Sequence, residues 1–115
     1  MALGLGGFRT RSPERDNERD AKRLAKLRAA IVNARDDALS EHTGLSRRVN
    51  EHFARAAMLL DASGSFAERA PEDEQAIAAS EKQALAGQQR LEALTRQIAM
   101  LEGLLATLDS GTRPD

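Results

Sequence analysis

At 115 residues, with 41% hydrophobic and 30% charged side chains and a formal net charge of −1, the chain has the size and composition of one folded domain and is too apolar for a disordered tail. Its three phenylalanines, Phe8, Phe53 and Phe66, are its only aromatic residues; the dominance of alanine, leucine, arginine and glutamate argues against an α/β core and for long helices or coiled coils. Cysteine is absent, which excludes disulfides and thiolate metal sites.

Residues 1–11 read as a flexible arm, because Gly4, Gly6 and Gly7 disfavour any regular element. The opening apolar stretch, Met1 to Phe8, follows no basic region and runs straight into Arg9 and Arg11, so no cleaved signal peptide is expected. No apolar run approaches the roughly 20 residues that span a bilayer. The expected location is therefore cytoplasmic, without membrane contact.

Ser12 followed by Pro13 marks a helix start, the serine as cap and the proline in the first turn, where its missing N–H costs nothing. The first helix is expected over about 13–60. Its weak point is Gly44, in Thr43-Gly44-Leu45-Ser46, where a continuous or kinked helix is preferred to a break. Asp61 to Ser65 has the composition of a turn, and the connection extends over about 61–70. Pro71 reopens a helix, with Glu72, Asp73 and Glu74 at its positive end. It is expected to end at about Asp109, where Ser110-Gly111 and Pro114 stop it and leave 111–115 as a flexible C-terminus.

The second helix carries the clearest periodicity. Ile77, Ala84, Leu91, Ile98 and Leu105 recur every seven residues, and Ser80, Gly87, Leu94, Leu101 and Leu108 fill the companion seam. The short connection folds the helices back antiparallel, so that facing residue numbers sum to about 132. Leu24 then meets Leu108, Leu27 meets Leu105, Ile31 meets Leu101, Ala34 meets Ile98 and Ala38 meets Leu94. Bulky Val49 and Phe53 oppose small residues of the second helix. The paired part is a rod of roughly 55 Å, residues 13–23 overhang it, and Gly44 and Gly87 fall at nearly the same height. The expected architecture is all-α: a coiled-coil-like antiparallel helical hairpin over residues 12–110, two copies joining as a four-helix bundle.

Residues that could carry chemistry are few. Glu41-His42 and Glu51-His52 suggest a metal site, but ten residues separate the imidazoles by about 15 Å along the axis and about 80° in azimuth, too far for one ion. Gly4-Leu5-Gly6-Gly7 lacks the strand before it and the Gly-Lys-Ser/Thr ending of a phosphate loop, and no nucleophile has a recognisable base. Neither catalytic residue, metal nor cofactor is expected.

Two surfaces remain. Ala25, Val32 and Leu39 on the first helix, and Ala93, Met100 and Leu104 on the second, are apolar positions beside the main seam and form the expected self-association or partner surface, which makes the protein a non-catalytic interaction module, a homodimer with a further protein partner of unknown identity. Residues 1–48 carry 11 basic and 7 acidic side chains, and residues 49–115 carry 6 and 11. Arg15, Arg19, Lys22 and Lys26 form one helical stripe, with Arg23 alongside and Arg9 and Arg11 on the arm. The alternative reading is a small nucleic-acid-associated protein using these cations. Against it, Glu14, Asp16, Glu18 and Asp20 are interleaved, Glu18 can pair with Lys22, and no aromatic is available to stack on a base.

Overall fold

The computed structural model describes residues 12–64 and 68–112. They form two helices, α1 (Pro13–Ala62) and α2 (Pro71–Thr112), packed along each other as an all-α hairpin; no strand occurs among the described residues. The expected N-terminal arm and residues 113–115 lie outside them.

Each helix end follows from local chemistry. Ser12 is extended, its hydroxyl accepts the Arg15 N–H at 3.4 Å, and Pro13 takes the first position of α1. At the other end Ser63 N–H returns to the Leu59 carbonyl at 3.0 Å, and Gly64 then turns the chain out with φ +77°, a region open to glycine at little cost. Ala70 accepts the N–H groups of Asp73 and Glu74 at 3.0 and 3.1 Å and so opens α2, whose first turn holds Glu72, Asp73 and Glu74, where the helix dipole favours carboxylates. α2 runs on to Thr112, past the end expected at Asp109. Gly111 does not take a positive φ, so it terminates nothing. The longer α2 brings Gly111 into one groove with Asn17, Asp20 and Leu24, and the overhang of α1 is correspondingly shorter than residues 13–23.

Arg69 clasps the turn. Its guanidinium donates to the Ser63 hydroxyl at 2.9 Å and to the Gly64 carbonyl at 3.3 Å, and it pairs with Glu74 in the first turn of α2. One side chain, 10% exposed, thus ties the end of one helix to the start of the next.

α1 is unbroken through Gly44, a helix of 50 residues and about 75 Å. The buried residues define the seam: Ala38, Val49 and Ala56 on α1, and Ile77, Ser80, Ala84, Leu94 and Leu105 on α2. α2 presents the seam its heptads announce. On α1 the 3.5-residue spacing through Ala38, Val49 and Ala56 admits Ile31, Arg35, His42, Leu45 and His52, all half-buried. It leaves out Leu27, which is 50% exposed, and Ala34, also exposed. Leu27 and Ala34, expected to stand in the seam opposite Leu105 and Ile98, therefore flank it instead. The register survives: Leu24 and Leu108 line one groove, and Leu45 and Val49 both reach Gly87.

Only one of the two glycines serves packing. A β-carbon on Gly87 would stand 2.4 Å from Val49 Cγ2, whereas one on Gly44 would meet only the Arg48 guanidinium tip at 3.8 Å. Gly44→Ala should therefore stabilise by about the helix-propensity difference, 0.8–1.0 kcal/mol. Gly87→Ala should destabilise by on the order of 1–2 kcal/mol, since overpacking outweighs the same gain. Thermal denaturation of the two variants, followed by circular dichroism, checks the opposite signs.

Candidate interaction surfaces

A two-helix seam leaves two broad faces, and cross-helix pairs tell them apart. Arg90 donates to Glu41 through Nε at 2.8 Å and Nη2 at 3.0 Å. This bidentate pair marks one face. On the other, Arg28 donates to Asp109 at 2.8 and 3.2 Å, and His42 lies 3.4 Å from Thr95 through Nε2. The Thr95 hydroxyl gives its hydrogen to the Leu91 carbonyl at 2.9 Å, so its oxygen is left to accept from His42. Phe53, Leu60, Glu81 and Leu85 line a groove on this second face; Glu81 repeats the heptad position of Thr95 and Asp109.

The expected self-association residues divide between these faces. Leu39 shares its heptad position with Phe53 and Leu60, so Ala25, Val32 and Leu39 belong to the groove face. Leu104 is two heptads beyond Arg90, and Met100 and Ala93 lie further round, so these three belong to the Glu41–Arg90 face. The two stripes match in height but not in side, and a single flat contact cannot use both. Leu27, two heptads before Glu41, supplies what Leu104 lacks on α1: the pair repeats the Glu41–Arg90 geometry at the open end of the rod. Leu27 is 50%, Leu104 49% and Met100 60% exposed, and Ala34 lies beside them on the same face.

The basic stripe is exposed throughout: Arg15, Arg19, Lys22 and Lys26 face away from the seam. Arg23 pairs with Asp20 at 3.1 Å, while Glu18 and Lys22 form no ion pair among the described residues. Asp16 is half-buried. Acidic residues thus flank the described cations, and Asp20 holds one of them, Arg23. Arg9 and Arg11 lie outside the described residues.

His42 and His52 both stand on the α1 seam, separated along the helix as their spacing requires. His52 Nδ1 is enclosed without a hydrogen-bond partner. No group of three His, Asp or Glu that could hold a metal ion occurs among the described residues, and no helix there is long and apolar enough to cross a membrane.

Hydrogen bonding from Arg90 holds the Glu41 carboxyl below its ordinary pKa, with desolvation opposing and the nearby charges of Arg90 and Arg48 adding to it; the same pair raises Arg90, as the hydrogen bond that Arg28 donates to Asp109 raises Arg28. A carboxylate with a depressed folded pKa stabilises fully above its unfolded pKa, and the contribution disappears as pH falls through the folded value. The urea midpoint of the wild type should therefore exceed that of Glu41→Gln at pH 7, with the gap closing below about pH 4. A gap that persists at pH 2 would contradict the assignment.

The chain matches no family model, no curated protein and no solved structure.

Proposed function

We propose that the protein is a non-catalytic interaction module that works by helix packing and first of all binds a second copy of itself. The observation that carries this reading is the exposed cluster of Leu27, Met100 and Leu104 on one face of the open end. Seven apolar side chains are buried in the described hairpin, and three of them are alanines. A two-helix seam of this kind provides a thin core for its length. An apolar face next to it is the natural place to gain more.

Charge supports a particular arrangement. Two hairpins related by a two-fold axis along the rod lay α1 of each on α2 of the other at equal height. Leu27 then meets the partner's Leu104, Ala34 meets the partner's Gln97 and Glu41 meets the partner's Arg90. The α2 ridge on this face runs Ala76, Gln83, Arg90, Gln97, Leu104, so its one charge falls opposite a carboxylate and no like charges oppose each other. The result is a four-helix bundle closed on itself.

Light scattering at tens of micromolar should return about twice the 12.5 kDa chain mass. The double variant Met100→Glu with Leu104→Glu should halve it while the helical circular dichroism signal stays largely intact. A wild type that is monomeric and fully helical under these conditions would refute self-association.

A further inference from the structure

The groove face calls for a different occupant. One heptad position of α1, from Ala25 through Val32, Leu39, Ser46 and Phe53 to Leu60, carries no charge over six successive heptads, and Leu39, Phe53 and Leu60 remain 43%, 37% and 40% exposed. Beside this ridge the flank of α2 reads Glu74, Glu81, Gln88, Thr95, Glu102 and Asp109, all acidic or neutral. Leu85, 56% exposed, and Glu92 stand on the next ridge outward. Glu81, Glu92 and Glu102 form no ion pair among the described residues, whereas Arg48 and Arg55 share the heptad position of Glu41 and stand on the opposite face.

A second copy does not fit here. Stacked about an axis across the rod, the two acidic flanks would face each other; about an axis along it, each would press on the other's apolar ridge. Like charges in the first case and desolvated carboxylates in the second both oppose contact. We propose instead that the groove between Phe53, Leu60 and Leu85 docks an amphipathic helix of another protein, one with an apolar stripe bordered by lysine or arginine. Its apolar side chains fill the space between the α1 ridge and Leu85, and its cations meet Glu81 and Glu92, in the manner of a helix laid into a groove. Steering by the carboxylates makes the association salt-dependent, while the apolar anchors hold the complex. The surface is on the face away from Leu104, so it stays open when two hairpins join.

The test uses the whole chain and a labelled model peptide of leucine and lysine about 18 residues long, five helical turns, with its glutamate-for-lysine counterpart as control, read by fluorescence anisotropy. The lysine peptide should bind and the glutamate peptide should not. Glu81→Lys with Glu92→Lys should weaken binding by roughly tenfold or more, about 1.4 kcal/mol, and Phe53→Ser with Leu85→Ser should abolish it. The milder Glu81→Gln, which keeps size and helix propensity, should weaken it less than the double charge reversal. Met100→Glu with Leu104→Glu should leave it unchanged, which separates this inference from self-association. Equal binding of both peptides, indifference to the Glu81 and Glu92 changes, or no binding at all would overturn it. So would displacement of the peptide by unlabelled copies of the chain itself, which would make a second copy the occupant.

Discussion

At Gly87 the backbone of α2 is bare, and Val49 of α1 fills the space that a side chain would occupy, with Leu45 beside it. Two helices that touch this closely cannot slide, because any shift by a heptad brings a β-carbon into that space. The remaining contacts inherit the register. Leu24 comes level with Leu108 at one end, Ala56 with Ile77 toward the other, and the flanking charges find each other as Glu41 with Arg90 and Arg28 with Asp109. The two ion pairs are exposed and screened; they report the register that the seam imposes and add modestly to it. A two-layer fold with no third element has few other means of fixing position.

That constraint also defines what is left over. A helix pair covers one stripe on each member, and each helix here is apolar over more than one stripe. On the Glu41–Arg90 face the excess is concentrated at the open end, around Leu27, Met100 and Leu104. On the groove face it runs along α1 and is bordered by carboxylates. Electrostatics thus distinguishes the two faces, even though both carry exposed apolar side chains.

The α2 seam, the helix starts at Ser12 and Pro71 and the antiparallel register were legible in the sequence, since each rests on a strong local signal: a heptad run ending in large residues, a serine-proline cap, a short turn. The α1 seam was only partly legible. Leu27 and Ala34 are more apolar than Arg28 and Arg35, but azimuth on a long helix is set by the spacing through Ala38, Val49 and Ala56, and arginine stems can border a seam with their charge in water. The candidate surface was legible in height and not in side. Seven-residue recurrence tells which positions align along the rod; the cross-helix partners, Thr95 with His42 and Arg90 with Glu41, are needed to tell which positions share a face. Nothing in the sequence marked Arg69, whose role depends on a turn geometry that exists only once the chain has folded back.

The clasp at Arg69 bears on how such a hairpin closes. Chain connectivity favours contacts near the turn, where the segment to be ordered is short, while a contact such as Arg28 with Asp109 spans 81 positions and comes cheaply only after everything between is zipped. Yet near the turn the seam is the leaner part, where Ile77 and half-buried Leu59 stand among Ala56, Ser80, Ala84 and half-buried His52, and the leucine-rich part lies at the far end. Entropy and burial therefore point to opposite ends of the rod. A polar side chain that locks the reversal itself, joining Ser63, Gly64 and Glu74, gives the zipper a fixed point at its short-loop end, beside that leaner seam.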